Sequence, residues 1–208
     1  MCFFYAQLKS KKELEARFDA LVESDEDIFE IGDFNGFANP YTPIISDASP
    51  KIIEAAQWGL VPAFAADNIK GFREDANTLN ARIEGIEKKN SFRNSIGNRC
   101  LVVASEFYEW KHIGKEKIKH RIYTKDGQPF ALAGIYSPID DIKTFSILTT
   151  EANELMAEIH NTKKRMPVVL QRDEEKLWLD GDPLASYHSR KEIELIAEPI
   201  GPFQGQLF

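Results

Sequence analysis

Cysteine is scarce in this 208-residue chain: there are two, Cys2 and Cys100, and no CxxC. That pattern excludes both a disulfide framework and a zinc knuckle. Histidine is nearly as scarce, with four in the chain, and none stand at metal-ligand spacing, so neither a metal nor any other cofactor is expected. Long apolar runs are missing as well; nothing approaches the roughly 18 consecutive apolar residues of a membrane span. The opening MCFFYAQLKS has no basic start, long apolar centre or small-residue cleavage site, the three parts of a secretory signal. Together these absences predict a reduced, cytoplasmic protein without a membrane partner.

Positive charge is short overall, with 26 Lys and Arg against 33 Asp and Glu and a net of −7. Taken alone, that argues against nucleic acid as a partner. Its distribution argues otherwise. Residues 68–125 hold 13 basic against 7 acidic residues, a local +6, between flanks of −7 and −6. A basic block can be no more than a solvated face, but this one also contains the chain's least ordinary polar motifs.

No repeat, low-complexity tract or linker divides the chain, so one domain over residues 1–208 is expected. CFFYAQL reads as a strand. SKKELEARFDALVES reads as a helix, with Ser10 as N-cap, Glu13 three residues on, and Leu14, Phe18 and Leu21 along one face. DIFEIGDFNGFANPYTPIIS is strand-like, then broken by Asn-Gly and prolines, and KIIEAAQWGLVP is a further strand. NTLNARIEGIEK reads as a short helix and RCLVVASEFYEWK as a strand. KIKHRIYTKDGQPFALAGIYS suggests a hairpin turning at Asp126-Gly127. KTFSILTT and MPVVL are strands, EANELMAEIH and RDEEKLWL helices. Strands mixed irregularly with short helices, without a βαβ rhythm, predict an α+β fold with a largely antiparallel, partly closed sheet and short flanking helices.

What stands at position 2 raises a chemical question. If Met1 is trimmed, Cys2 carries an amine and a thiol on adjacent carbons. An α-amine has a pKa of about 7.7–8.0, so a useful fraction is neutral and nucleophilic. It can attack an aldehyde to give an imine, on whose carbon the thiol can close to form a five-membered thiazolidine. The same group could cleave an amide, or Cys2 could simply be a small hydrophobe beginning a strand.

Three other stretches hold candidate residues. In NTLNARIEG, Asn80 and Arg82 lie two apart, so both can face one way; the arginine suits a phosphate and the asparagine a sugar hydroxyl. In SEFYEWK, Glu109 lies between Tyr108 and Trp110. A carboxylate there is partly desolvated and can carry protons, while the flanking rings, on the opposite face, offer stacking surfaces for bases. In MAEIHNTKKRMPVVL, His160 ends a helix and is followed by Lys163, Lys164 and Arg165, which would draw in an anion. Each of these has an ordinary structural reading too: a cap, a surface arginine, a half-buried strand.

In order, Met-Cys, WGLVP, NAR, FYEW, ILTTEAN and IH…RMPVVL resemble the SOS-response-associated peptidase (SRAP) family, from Cys2 to about Leu170. The resemblance implies a domain that binds abasic sites in single-stranded DNA and links to them through Cys2; nothing in the sequence calls for more than a monomer, expected at the nucleoid when on DNA. It implies that Asn80 recognises the abasic sugar, Arg82 holds a flanking phosphate, Glu109 orients the lesion and relays protons, and His160 assists ring opening. Trp58, Trp110, Thr149, Thr150 and Arg165 become DNA-side contacts or supports. Two departures stand out. Phe3 and Phe4 follow Cys2 where family members often read MCGR, and NTKK lengthens the step from His160 to Arg165 relative to IHDRMP. The family's name also implies a thiol peptidase or amidase, in its narrowest form one that processes its own N-terminus. A plain single-strand binding module is the third reading.

Overall fold

A computed structural model describes residues 2–23 and 31–201. The chain runs β1 (Phe4–Gln7), α1 (Lys11–Phe18), β2 (Leu21–Val22), β3 (Gly32–Asn35), β4 (Tyr41–Ser46), β5 (Ile52–Trp58), α2 (Ile69–Asp75), β6 (Asn80–Arg82) and β7 (Arg99–Ala104). It continues through β8 (Glu106–Ile113), β9 (Glu116–Thr124), β10 (Phe130–Ile139), β11 (Ile142–Glu151), α3 (Glu154–Ile159), β12 (Arg165–Pro167), β13 (Val169–Leu170), α4 (Arg172–Leu179) and β14 (Leu195–Ile200).

The strands form two sheets. The first, β14-β9-β8-β1-β3, is antiparallel throughout. In the second, β4, β7 and β10 lie between β5 and β11, and β11 then pairs back onto β5 through Thr144–Gln57 and Phe145–Trp58. That return closes a ring of five strands, the partly closed sheet that the sequence predicts, with β2, β6, β12 and β13 attached outside it.

Period-two alternation sorts each strand between two apolar layers. Cys100, Val102 and Ala104 of β7 face Tyr5, Phe107 and Ile122 of the first sheet, whereas Leu101 and Val103 face Leu14 of α1 and Trp178 of α4. Each fully buried Val, Leu, Ile or Phe contributes about 1.5–3 kcal/mol, so packing between layers outweighs any one strand's propensity. Close approach of β10 to β7 requires Gly134, where a Cβ would stand 2.7 Å from the Cys100 sulfur.

Several expectations need correcting. The helix from Ser10 has its capping box with Glu13, but Asp19 turns left-handed at its end. Leu21 therefore begins β2 and is 66% exposed rather than lying on the helix's apolar face. NTLNARIEGIEK is not a helix: Asn80–Arg82 is β6, drawn into parallel register on β11, and only Ile86–Lys88 forms a 3-10 turn. Asp126-Gly127 does turn the chain, with Gly127 at φ +65°, but β9 and β10 do not pair. They go to different sheets, and the hairpin partner of β9 is β8, across a turn at Gly114. RCLVVASEFYEWK divides at Ser105 into β7 and β8, one in each sheet, and MPVVL into β12 and β13. Residues 27–30 of the strand-like DIFE segment lie outside the described residues. Among the described residues no helix is long and apolar enough to cross a membrane, and no three His, Cys, Asp or Glu are grouped to hold a metal.

Candidate covalent site and nucleic-acid interface

Cys2 stands just before β1 and is fully buried, its thiol 3.7 Å from the carbonyl of Phe4. Burial, and after it the nearby Glu109 carboxylate, pushes the thiol pKa far up, so the sulfur keeps its proton at neutral pH. Asn80 reaches this residue from 78 positions away: its Nδ2 donates to the Cys2 carbonyl at 2.8 Å. β6 is what aims it. Ala81 and its partner Leu148 point into the apolar layer, which turns Asn80 and Arg82 together to the other face. Arg82 is exposed there. The Asn80 Oδ1 is buried and has no hydrogen-bond partner among the described residues, an acceptor held ready for a donor.

Glu109 comes from β8, on the inward side of a strand whose Phe107 is also buried. It is only 5% exposed, and burial raises its pKa above the usual carboxylate range. His160 follows α3 and is 7% exposed. Its Nδ1 lies 2.8 Å from the carbonyl of Arg165. The Arg165 N–H lies 3.3 Å from the same nitrogen; the shorter contact is met by the tautomer protonated on Nδ1, whose acceptor lone pair is then on Nε2. Burial lowers the His160 pKa, and nearby positive charge, first that of the chain's N-terminus and then that of Lys163, lowers it further.

A groove of about 500 Å³ has Glu109 and His160 in its wall beside Phe3, Phe4 and Trp110, with Lys117 and Lys163 supplying positive charge; Cys2, Asn80 and Arg82 are not among its lining residues. Of the two rings expected to stack bases, only Trp110 lines it. Tyr108 is 5% exposed, its hydroxyl lies between Asp33 and Glu106, and the Lys119 ammonium sits 3.9 Å above its ring.

The other expected DNA-side residues lie inside, where they can support but not touch a strand. Trp58 is fully buried, stacked on Phe145, and donates from Nε1 to the Leu79 carbonyl at 2.8 Å, beside Asn80. Thr149 is buried against the Ala81 carbonyl, and the Thr150 hydroxyl donates to the carbonyl of His188. Arg165 meets Glu84 through two hydrogen bonds of 3.0 and 2.7 Å and also reaches the Thr149 carbonyl. Trp58, Thr149 and Arg165 thereby hold β6 and the residues at its two ends in place. One bracing residue has no sequence signal at all: Asn161 exchanges two hydrogen bonds with the His112 backbone, at 2.8 and 3.2 Å, tying the turn after His160 to β8.

A thiol at the head of the first strand, a two-sheet α+β core around it and a cationic groove alongside place the chain in one structural class. It belongs to the family described as SOS response associated peptidase (SRAP), which matches residues 1–201. Abasic site processing protein YoaM of Bacillus subtilis is 40% identical over 144 residues, 66% of this chain and 60% of that protein. Abasic site processing protein HMCES of Gallus gallus is 28% identical over 184 residues, 73% of this chain and 51% of that protein. A crystal structure of a protein from Bacteroides thetaiotaomicron has a TM-score of 0.85 at 33% identity, over 96% of this chain and 92% of that one. The match spans about 60% of the length of the Bacillus relatives.

Proposed function

We propose that this chain, as a single domain, captures abasic sites in single-stranded DNA and bonds to them through Cys2 after loss of Met1. The opened sugar of an abasic site presents an aldehyde. The Cys2 amine adds to it and water leaves, giving an imine. The thiol then adds across the C=N bond, sulfur to carbon and proton to nitrogen, closing a thiazolidine. No oxidant or cofactor enters. Glu109, protonated more readily than an exposed carboxyl, supplies the proton that the departing oxygen needs. His160, held neutral, accepts one at Nε2 as the sugar ring opens. Asn80 fixes the Cys2 backbone and turns its remaining acceptor toward the sugar.

The observation that carries this reading is the Asn80–Cys2 contact. It joins the one residue with adjacent amine and thiol to a strand that also presents an exposed arginine. The name abasic site processing protein, borne by relatives from bacteria and vertebrates, supports it.

The test mixes protein lacking Met1, checked by intact mass, with a single-stranded oligonucleotide holding one abasic site. Denaturing electrophoresis should give a heat-stable shifted band that requires both the lesion and Cys2, and that an extra residue ahead of Cys2 abolishes. Cleavage of an unrelated peptide at enzymatic rates, without that band, would favour the thiol peptidase reading. Lesion-independent, salt-sensitive binding alone would leave a simple binding module.

A further inference from the structure

Phe37 is 59% exposed although it is one of the largest apolar side chains, and a rigid turn holds it out. Its own N–H is capped by the Asn35 side chain at 3.1 Å, and the N–H of Gly36 donates to the Phe3 carbonyl at 2.9 Å. A Cβ at Gly36 would press on Trp58 and Leu79 at 3.1 Å, so the turn is clamped against the core on its other side. The Phe37 ring lies 4.9 Å from Phe3 and 6.3 Å from Phe4, and Phe4 in turn is 5.2 Å from Trp110. An aromatic row thus runs past the residue bonded to Cys2. Residues 1–8 contain no lysine or arginine, so no cationic side chain in this segment faces a phosphate. The cations Lys117 and Lys163 lie in the groove on the Trp110 side of the row, and Arg73 shares a small hollow with Phe37 on the other.

We propose that Phe37, backed by Phe4, is a stacking platform for the nucleobase adjoining the abasic site, and that it gives the site a preference for a flanking purine. This rests on the function proposed above. A lone exposed phenylalanine needs no explanation, but a pre-ordered row with cations at its side fits a polyanion that carries flat bases. Stacking tolerates any base, and its modest preferences follow stacking strength, which is greater for purines.

The test places 2-aminopurine on either side of a single abasic site in a single-stranded oligonucleotide. It compares the wild type with Phe37→Ala, Phe37→Leu and Phe37→Trp. In wild type and Phe37→Trp, binding should change the fluorescence of the probe on one side, and purine neighbours should bind more tightly than pyrimidines. Phe37→Ala and Phe37→Leu should lose both effects and bind about 5- to 100-fold more weakly, the loss expected for one stacked base. Their salt slope should be unchanged, because no phosphate contact is removed. An unaltered probe signal in Phe37→Ala, or a shallower salt slope, overturns the platform. If wild type crosslinks and Phe37→Ala matches it throughout, the platform fails and the function stands. If wild type forms no crosslink, the function fails, and the probe signal in the reversible complex still decides the platform.

Discussion

Glu109 and His160 are both buried, and burial moves their pKa values in opposite directions, the acid up and the base down. Each shift favours the neutral form, which brings the pH ranges of a carboxylic acid and an imidazole lone pair closer together in one groove. Glu109→Gln keeps the shape and removes the carboxyl to which the proposed function gives the proton transfer. Its single-turnover crosslinking should slow by about 10²–10⁴, with oligonucleotide affinity little changed in a titration. His160 also makes stability depend on pH. Its folded pKa lies below its ordinary value of 6.5, so the unfolded chain takes up this proton first. The stability it contributes is complete above about 6.5 and is lost as pH falls through the folded pKa. Glu109 has the reverse sign, losing stability as pH rises from 4.5 through its raised value. The melting temperature of wild type minus that of His160→Gln should therefore fall between pH 7.5 and pH 5; a flat difference would mean that His160 is not held neutral. Cys2, Asn80, Glu109 and His160 stand out in the sequence through the order of the motifs that hold them, since Asn80 and His160 taken singly read equally well as caps. For Arg165, Thr150 and Trp58 the sequence leaves DNA contact and internal support both open, since an arginine's type does not say whether it meets a phosphate or, as here, a carboxylate 81 positions earlier.

Among the elements, α1 and β6 show opposite limits of reading. α1 is decided locally: Ser10 and Glu13 satisfy each other's backbone groups, and Ser10→Ala should cost about 1 kcal/mol in a urea titration. β6 has only three residues, and nothing within NAR makes it a strand. It exists because β11 offers an open edge and because Leu79 and Glu84, at its two ends, are held by Trp58 and Arg165. The β9–β10 error has the same origin. A turn at Asp126-Gly127 is visible in sequence, but the sheet to which each flanking strand belongs is set by long-range packing. Glu84→Ala tests the dependence. It leaves the buried Arg165 guanidinium without its carboxylate, at a cost of about 2 kcal/mol, below the 3–5 of a fully enclosed pair because Glu84 is about a third exposed. If β6 aims Asn80, the crosslinking rate should fall as well under conditions where the variant is still folded. Normal crosslinking in a destabilised protein would show that β6 holds its aim without this clamp.

At the scale of the whole molecule, the proposed function asks a protein of net charge −7 to hold a polyanion. The resolution lies in where the cations stand. Of the +6 of residues 68–125, the β8–β9 hairpin carries +2, with Lys111, Lys115, Lys117, Lys119 and Arg121 against Glu106, Glu109 and Glu116. Several are already engaged: Lys119 covers Tyr108, Arg121 pairs with Glu198 and Lys111 approaches Glu158. Lys117 and Lys163 instead line the groove beside Glu109 and His160, which makes them the cations placed to displace counterions from a bound strand. For single strands the logarithm of affinity falls with that of salt at about −0.7 per neutralised phosphate. Replacing both lysines with alanine should therefore flatten the slope by about 1.4, and weaken binding to lesion-bearing and intact strands alike. Net charge would barely register in such a measurement, because repulsion from the acidic flanks is screened within about 10 Å at 0.1 M salt. Affinity that drops without any change of slope would mean that the two lysines shape the groove rather than meet phosphate. A slope and affinity both unchanged would put the strand on another face, and with it the path by which an aldehyde reaches Cys2.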